Sequence, residues 1–365
     1  MEKLLVLGAG KIGSLVAFLL ANSRDYHVYL ADNQINSLSL KNILSAPHLE
    51  LVQLDVKKFN ETTEFIKKNR ISSVISCLPY FQNSFVIQLA AELHLNYFDL
   101  TEDIKVAQTA QLAATKVQSA FVPQCGLAPG FISIVTHDLV QHFDSLDTIK
   151  MRVGALPVNS SNALRYALTW STDGLINEYG NHCQGIEQGK AVVLHPLQDL
   201  EAIEIDGLTY EAFNTSGGAG TLVNSYLGKV NQLNYKTIRY PGHCEKIRFL
   251  MDDLKLNDDR ETLKRILENA IPHTLQDVVI VYASVTGKTQ QKQYSEKNYV
   301  KKFYPKVIHD ISWSAIQMTT ASSVCAIVDL VLSDPKNHRG LIKQEQFSLK
   351  NFEENRFGSY FKIPL

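Results

Sequence analysis

The chain has 365 residues, which is more than one compact core usually holds, so its length predicts two domains. Apolar residues make up 45% of it and charged residues 20%, as in an ordinary soluble protein, and the formal net charge is -1. Lysine and arginine are spread along the chain rather than clustered. The charge distribution therefore offers no binding surface for nucleic acid or for an anionic membrane.

Targeting and redox signals are those of a cytoplasmic protein. The N-terminal residues lead straight into a predicted strand, without the basic and apolar regions of a signal peptide. Residues 315–332 look too polar and too short to span a bilayer, so we expect a buried helix there that packs on the first domain. The five cysteines are far apart and form no CxxC pair, which indicates neither a disulfide framework nor a metal site.

The first third of the chain alternates between short apolar runs and stretches with helical spacing. The predicted strands cover residues 4–7, 27–31, 49–54, 73–77, 96–100 and 121–124, with helices at 12–21, 59–69 and 85–94. Strands that alternate with helices in this way imply βαβ units and a parallel sheet. We predict an α/β fold, with a Rossmann doubly wound parallel sheet over residues 1–125 that a C-terminal helix near 312–340 completes.

The pattern changes after Gly130, where predicted strands follow one another more closely. They cover residues 148–153, 191–194, 202–205 and 277–286. We predict a second, α+β domain over residues 126–311 with a mainly antiparallel sheet, which binds substrate and mediates oligomerisation. The alternating run at 277–286 suits a strand with one exposed face, and hence an edge or face for pairing with another subunit. For residues 347–365 the sequence suggests no function.

A glycine motif lies between the first strand and the first helix. It consists of Gly8, Ala9, Gly10, Lys11, Ile12 and Gly13. Gly8 suits a tight turn, Gly10 lets the backbone approach a pyrophosphate, and Gly13 lets the helix pack on the strand. The helix N-terminus offers N–H groups and partial positive charge to the phosphates. Because a strand and a helix flank it, the motif predicts a dinucleotide site, the alternative being a loop that only turns the chain.

Two aspartates follow later strands of this domain. Asp32 ends the second strand, where a carboxylate accepts hydrogen bonds from the adenosine ribose and repels a 2′-phosphate, so NAD is favoured over NADP. Asp55 follows the third strand, either near the adenine ring or as a helix N-cap.

Two further segments are candidates for the cofactor site. Cys77, Leu78 and Pro79 end the fourth strand, where small side chains would admit the nicotinamide ribose. No basic neighbour lowers the pKa of Cys77, which argues against a nucleophile. The turn with Gly126 and Pro129 crosses from one domain to the other, either as a hinge or as backbone close to a ligand.

Several segments, in chain order, resemble the saccharopine dehydrogenase family, in the branch with saccharopine reductase and L-lysine 6-dehydrogenase. They are residues 8–13, 76–80, 97–100 and 125–130, followed by 169–179, 211–217 and 239–243. Saccharopine reductases usually carry Asp where this chain has Ala128, and Arg after the second strand where it has Asp32. Both differences favour lysine 6-dehydrogenase. The resemblance implies a homo-oligomeric enzyme that oxidises or forms a C–N bond of an amino acid or amine, most like oxidation of the lysine terminal amine to the semialdehyde.

Such a reaction needs a cation for the substrate carboxylate and a general base for its ammonium. Arg165 and Arg239 lie inside family-like segments, and arginine offers a planar bidentate fork. His243, Glu178 and Asp99 are the candidate bases. Each has a structural alternative, since His243 also suits a hydrogen-bonded loop and Asp99 also suits a helix cap.

Other residues of the second domain are candidates for substrate contacts. Trp170 and Tyr179 would line a pocket around an aliphatic chain, although aromatics in such segments more often belong to the core. Thr215 lies in the polar loop 214–220, whose hydroxyl and N–H groups suit a carboxylate or the nicotinamide end of the cofactor.

Two other functions stay open. A saccharopine or carboxynorspermidine type reductase would need a second cation for a second carboxylate arm. A non-catalytic NAD-binding sensor or scaffold would keep the Rossmann fold without turnover, because fold alone does not fix function.

Overall fold

The computed structural model describes residues 1–35, 41–43 and 45–362. The chain forms two compact units, one from Met1–Gly130 with Gln317–Leu365 and one from Phe131–Ile316. The boundaries predicted after residues 125 and 311 each fall five residues before the observed ones. The returning segment also extends past the predicted end at residue 340, with a further strand and a further helix.

The first unit begins with alternating strands and helices. Its elements are β1 (Glu2–Leu7), α1 (Lys11–Asn22), β2 (Tyr26–Asp32), β3 (Leu49–Gln53), α2 (Phe59–Asn69), β4 (Ser73–Ser76), α3 (Asn83–Glu92), β5 (Asn96–Asp99), α4 (Ile104–Ala114) and β6 (Ala120–Val122). Helix α4 was not predicted, because its buried face consists of small alanines and gives a weak apolar period. The Asp103 carboxylate caps it by accepting from the Val106 N–H at 2.9 Å.

The sheet of the first unit is parallel throughout. Its strands lie in the order β3-β2-β1-β4-β5-β6, and a short seventh strand pairs beyond β6. Leu4–Leu7 of β1 are buried, as expected of a parallel strand with both faces covered. Strand order reverses at β1, so a ligand crevice opens at the carboxyl ends of β1 and β4. The predicted Rossmann fold is confirmed.

The second unit contains most of the remaining elements. They are α5 (Phe131–Val140), β7 (Ser145–Pro157), α6 (Thr172–Gly180), β8 (Cys183–Glu187), β9 (Lys190–Leu194), β10 (Glu201–Ile205), β11 (Leu208–Asn214), α7 (Leu222–Tyr226), β12 (Gln232–Arg239), α8 (His243–Arg248), a π-helical turn (Phe249–Asp253), α9 (Arg260–Ala270), β13 (Asp277–Lys288), β14 (Tyr294–Phe303), β15 (Lys306–Ile308) and β16 (Ile311–Trp313).

The large sheet of the second unit is mainly antiparallel, as predicted. Its main order is β10-β11-β12-β7-β13-β14, and β8 joins it through β12. The pairing of β12 with β7 is parallel, with Leu233 opposite Ile149. The other pairs of this sheet run antiparallel.

Residues 277–286 were predicted to offer an edge or a face for pairing with another subunit, and the edge alternative is wrong. Strand β13 lies between β7 and β14, so neighbouring strands take its hydrogen bonds on both sides. Val279, Val281 and Val285 are fully buried, and helix α5 packs against the strand. The alternation in the sequence is incomplete, since apolar residues also occupy the face expected to be exposed. On this side of the sheet the edge strand is β14.

After the second unit the chain returns to the first through α10 (Ala315–Ser333), β17 (Gly340–Leu341) and α11 (Leu349–Glu354). Helix α10 has 19 residues and a mean hydropathy of 1.6, so it is long and apolar enough to cross a membrane, contrary to the prediction. Of that stretch, 78% is buried inside the protein, which agrees with the predicted core helix. The Ser323 hydroxyl donates to the Gly126 carbonyl at 2.9 Å, and the Cys325 thiol faces the Val16 carbonyl at 3.7 Å.

The C-terminal residues are anchored around one carboxylate. Asp329 of α10 accepts from the Tyr26 hydroxyl at 2.6 Å and from the Asn355 amide at 2.7 Å. Its third partner, Arg356, lies at 2.6 Å and also pairs with Asp25. The described part of the segment 347–365, for which the sequence suggested no function, thus fastens the start of β2 to α10.

Candidate functional site

The glycine loop has a geometry that leaves one side open for a ligand. Gly8 has φ +99, and a Cβ there would lie 2.8 Å from the Cys77 carbonyl oxygen. A Cβ on Gly13 would lie 1.9 Å from the Gly8 carbonyl oxygen. At Gly10, by contrast, an added Cβ would meet no described atom within 4 Å. Close packing therefore explains Gly8 and Gly13, whereas Gly10 borders the space that a pyrophosphate would fill.

Asp32 connects the end of β2 to this loop. One of its carboxylate oxygens accepts from the Ala9 N–H at 2.8 Å, and the other accepts from the Gln34 N–H at 3.0 Å. Helix α1 starts at Lys11 with no capping side chain and no acidic residue in its first turn, and Ile12 is half-buried behind it. The first-turn N–H groups and the carboxylate so placed fit the pyrophosphate and the adenosine ribose of a dinucleotide.

Cys77, Leu78 and Pro79 follow β4 and are partly exposed. The Cys77 N–H donates to the Leu7 carbonyl at 2.8 Å, which holds this segment beside the glycine loop. Burial of the sulfur, followed by the charge of Asp99, raises the pKa of Cys77 to about 12. The thiol is therefore protonated, which supports the prediction that it is not a nucleophile.

Asp55 forms a turn before α2. Its carboxylate accepts from the Lys57 N–H at 3.0 Å, and the residue at the N-cap position is Lys58. The N-cap alternative for Asp55 is therefore wrong by three positions, and its contact with adenine stays a prediction.

The turn from Gly126 to Gly130 ends the first unit. A Cβ on Gly130, where φ is +134, would lie 1.9 Å from the Gly126 carbonyl oxygen. The peptide bond between Ala128 and Pro129 is cis, and Pro129 is buried. The turn closes tightly on itself at the predicted crossing point, and the cofactor contacts of Gly126 and Pro129 stay predictions.

Asp99 is not available to a substrate. Its side chain is fully buried and accepts from the Tyr97 hydroxyl at 2.5 Å, the Thr101 N–H at 3.0 Å and the Gln124 N–H at 2.8 Å. Burial raises the pKa of Asp99, against the opposing effect of these donors. The predicted catalytic role is not supported, because Asp99 instead ties the ends of β5 and β6 together.

In the second unit, Arg239 lies in a frame of aromatic rings. Its Nε donates to the Tyr179 hydroxyl at 2.8 Å and its Nη1 donates to the Ile238 carbonyl at 2.8 Å. The guanidinium lies 4.9 Å from the ring centre of Tyr166 and 5.7 Å from that of Tyr179. Within the described part of the chain, no carboxylate lies at ion-pair distance from Arg239.

His243 belongs to the same cluster but does not suit a general base. Its Nδ1 lies 2.8 Å from the Leu164 carbonyl oxygen and therefore carries the proton. Its Nε2, 3.0 Å from the Tyr179 hydroxyl, then accepts from that hydroxyl. Burial, followed by the charge of Arg239, lowers the pKa of His243 to about 3. The prediction of catalysis is not supported, because Tyr179 occupies the lone pair that a base would use.

Glu178 precedes Tyr179 on α6 and is 6% exposed. Burial opposes the charged form of Arg239, whereas the negative charge of Glu178 is among the effects that favour it. The second unit thus contains both a buried carboxylate and a buried guanidinium, the two charges that complement an amino acid zwitterion.

The other predicted substrate residues are Trp170, Thr215 and Arg165, and they differ in burial. Trp170 donates from its indole to the Tyr166 hydroxyl at 3.2 Å and is half-buried. Thr215 is buried, with its hydroxyl 2.9 Å from that of Thr237. Arg165 is exposed and lies over the Tyr240 ring, 5.1 Å from its centre, so it is outside the buried cluster.

Tyr166 is the member of this cluster that the sequence analysis missed. It packs on both Arg239 and His243, with ring centres of Tyr166 and His243 5.3 Å apart. The charge of its neighbour Arg165 made that residue a candidate for carboxylate binding. Tyr166 lies outside any helix or strand, so no hydrophobic periodicity indicates its position. Contact with a residue 73 positions away is a tertiary property.

The sheet order and the glycine loop place this chain among the Rossmann-fold proteins. Residues 4–123 match the family model of the saccharopine dehydrogenase NADP binding domain, and residues 126–355 match that of the saccharopine dehydrogenase C-terminal domain. The chain belongs to the saccharopine dehydrogenase family of oxidoreductases.

Comparison with individual proteins agrees with this assignment. The chain is 20% identical over 311 residues to the mitochondrial alpha-aminoadipic semialdehyde synthases of Rattus norvegicus and Mus musculus. These alignments cover 82% of the chain and 33% of each relative, so the chain spans about a third of their length. Apo saccharopine dehydrogenase (L-Glu forming) from Saccharomyces cerevisiae has a TM-score of 0.76 at 17% identity, with 97% of each chain covered. This likeness shows a shared fold.

The glycine loop predicts a contrast between two alanine variants. Gly10→Ala should fold with an unchanged Tm but lose at least about tenfold in dinucleotide affinity, because its methyl group enters only the ligand space. Gly13→Ala should lower the Tm, because its methyl group meets the Gly8 carbonyl. Thermal unfolding and calorimetric titration with NAD and NADP measure both effects. Wild-type affinity in Gly10→Ala would contradict the assigned site.

The buried imidazole predicts a pH-dependent stability. Because the pKa of His243 is lowered on folding, the unfolded chain binds one more proton as the pH drops below the ordinary histidine range. Relative to His243→Asn, the wild-type free energy of unfolding should fall by up to about 1.4 kcal/mol per pH unit between about pH 6 and pH 4. Urea unfolding across this range measures it.

His142→Asn provides the matched control, since His142 is exposed and should leave the wild-type pH slope unchanged. An identical slope in wild type and His243→Asn would show that His243 is protonated equally in both states.

Proposed function

We propose that this chain is an NAD-dependent amino acid dehydrogenase that acts on a C–N bond, with the terminal amine of L-lysine as the reacting group. The observation that carries the cofactor part is the glycine loop with Asp32 bound to it. When bound, NAD supplies the hydride acceptor. The product is the semialdehyde, and ammonium is released after water has added to the imine. The name of the curated relatives, alpha-aminoadipic semialdehyde synthase, points to the same aldehyde.

NAD is proposed over NADP on the charge of Asp32. The 2′-hydroxyl of NAD can donate a hydrogen bond to this carboxylate, whereas the 2′-phosphate of NADP would be repelled by it. The family model that matches residues 4–123 is that of an NADP binding domain. The preference for NAD is therefore proposed for this chain on account of Asp32.

The substrate part of the proposal depends on Arg239 and Glu178. Arg239 would bind the amino acid carboxylate, because its guanidinium is held flat by Tyr166 and Tyr179 and has no carboxylate partner in the described chain. Glu178 would take the proton from the ammonium group. The internal hydrogen bonds of Asp99 and His243 argue against both as bases, and Glu178 is the third base that the sequence predicts.

A saccharopine or carboxynorspermidine type reductase is the alternative. It would need a second cation, and exposed Arg165 on the Tyr240 ring is the candidate for that role. The other lysines and arginines buried in the large sheet do not serve, because Arg152 and Lys236 both pair with Glu201. A sensor without turnover is the alternative of another class. Homo-oligomerisation and a cytoplasmic location also stay proposals.

The deciding experiment follows NADH absorbance with the purified chain. L-lysine, saccharopine and carboxynorspermidine are supplied separately, each with NAD or with NADP. Reduction of NAD with lysine is the expected result. A signal confined to saccharopine or carboxynorspermidine would support the alternative reductase instead. Silence in all reactions, together with calorimetric NAD binding, would overturn the lysine dehydrogenase and favour the sensor.

The role of Asp32 predicts a change in cofactor preference. Asp32→Asn keeps an oxygen that accepts from the Ala9 N–H but removes the charge that repels a 2′-phosphate. We expect the ratio of NAD to NADP affinity to fall by at least about tenfold, measured by calorimetry. Asp55→Asn is the control for the ratio, since a contact of Asp55 with adenine would be common to NAD and NADP. An unchanged ratio in Asp32→Asn would remove the basis for proposing NAD.

The role of Glu178 predicts a loss of turnover without a loss of fold. Glu178→Gln is nearly isosteric, so kcat with lysine should fall at least about 100-fold while KM and the Tm change little. Exposed Glu187 on β8 gives the matched control, Glu187→Gln, which should keep wild-type kcat. A Glu178→Gln enzyme with wild-type kcat would exclude Glu178 as the base.

A further inference from the structure

The turn that follows β12 carries His243 back towards the end of that strand. Strand β12 ends at Arg239, and Pro241 and Gly242 then occupy the two central positions of the turn. Gly242 has φ +87 and ψ 4, as in the third residue of a type II turn, and the His243 N–H donates to the Tyr240 carbonyl at 3.3 Å. The conformation of this turn therefore decides where the imidazole of His243 lies.

A buried carboxylate holds the turn from the neighbouring strand. Glu211 of β11 is 7% exposed and lies opposite Arg239 in the ladder between β11 and β12. One of its oxygens accepts from the Gly242 N–H at 2.7 Å, and the other accepts from the Cys244 N–H at 2.6 Å. These two N–H groups flank His243 in the chain. The Glu211 carboxylate thus fixes the backbone on both sides of the imidazole.

The two contacts require a carboxylate at position 211. Both partners of the side chain are N–H donors, and a carboxylate can accept through each of its oxygens. A glutamine side chain has one acceptor oxygen and one amide NH2 group, which would face a backbone N–H in either orientation. A neutral residue of the same shape would therefore lose one of the two hydrogen bonds and leave a backbone donor unpaired.

A chain of hydrogen bonds connects the turn to the Arg239 guanidinium. His243 Nδ1 donates to the Leu164 carbonyl at 2.8 Å, and Nε2 accepts from the Tyr179 hydroxyl at 3.0 Å. The same hydroxyl accepts from the Arg239 Nε at 2.8 Å. His243, Tyr179 and Arg239 are each at most 3% exposed, so water does not replace a bond that is lost among them. A shift of His243 would therefore reach Arg239 through Tyr179.

We propose that Glu211 is a positioning residue for substrate binding by Arg239. It acts through His243 and Tyr179, which hold the guanidinium in the orientation that receives a carboxylate bidentately. This role rests on the proposed function, in which Arg239 binds the carboxylate of an amino acid.

The direction of the effect separates positioning from simple electrostatics. Glu211 lies on the strand next to Arg239, so its negative charge repels an anionic group bound there. Removing only that charge would strengthen the binding of a carboxylate. Releasing the turn would weaken it, because the guanidinium would no longer be held in one orientation before the ligand arrives. Weaker binding after neutralisation of Glu211 is therefore a signature of positioning.

The test is calorimetric titration of the full chain with L-norleucine in the presence of NADH. L-norleucine has the carboxylate and aliphatic chain of an amino acid but no terminal amine, so it reports on Arg239 without turnover. Glu211→Gln should weaken its binding at least about fivefold. Glu211→Asp, which withdraws the carboxylate by one methylene group, should also weaken it. Glu204→Gln is the control, because Glu204 is exposed on β10 and its loss of charge should change the affinity by less than about twofold.

A double-mutant cycle shows whether the effect passes through Tyr179. In a Tyr179→Phe background the link from His243 to Arg239 is already broken, so Glu211→Gln should weaken L-norleucine binding by less than about twofold. The decrease in Tm caused by Glu211→Gln should persist there, because the hydrogen bonds of the turn do not involve Tyr179. A purely structural role would lower the Tm without a loss of affinity that depends on Tyr179.

Three results would overturn the proposal. They are no binding of L-norleucine by the wild type, unchanged or tighter binding by both Glu211 variants, and an equal loss of affinity from Glu211→Gln with and without the Tyr179 hydroxyl. Reduction of NAD by lysine is measured separately. A wild type that oxidises lysine and a Glu211→Gln variant with unchanged affinity would remove the role of Glu211 alone, whereas a wild type that neither binds L-norleucine nor oxidises lysine would remove the proposed function as well.

Discussion

The close approach of α1 to β1 is the constraint on which the first unit depends. Gly13 packs so near the Gly8 carbonyl that any side chain at position 13 would push the helix away from the strand. This contact aims the N-terminus of α1 at the crevice where strand order reverses. Asp32 then holds the loop from the neighbouring strand through the Ala9 N–H. The position of the glycine loop thus depends on close packing between one helix and one strand.

The second unit is organised around a buried charge. Arg239 is 3% exposed, yet its guanidinium lies against two aromatic rings and donates to the Tyr179 hydroxyl. Tyr179 in turn donates to His243, whose other nitrogen donates to Leu164. A neutral histidine at the end of this chain avoids a second buried positive charge. His243 therefore orients the phenol that orients the arginine, and it acts as a positioning residue rather than as a base.

The returning C-terminal segment gives the first unit its remaining contacts. Helix α10 reaches the glycine-loop helix through Gln317, which donates to the Lys11 carbonyl at 3.1 Å. At its other end, Asp329 anchors Arg356 and Asn355. Between these ends its apolar side chains fill the core, which is why a helix with membrane-like hydropathy is buried here. Strand β17 extends the sheet beyond β6 with the same segment.

The sequence by itself determined the Rossmann order of the first unit, the glycine loop, Asp32 and the mainly antiparallel character of the second sheet. These follow from local signals, since strand period, turn glycines and short connections are properties of neighbouring residues. Tertiary structure decided that β13 is central, that Asp99 and His243 are engaged internally, and that Tyr166 lies against Arg239. Burial and hydrogen bonding depend on contacts between residues that are far apart in the chain. No local sequence pattern shows which distant group will donate a hydrogen bond to a given side chain.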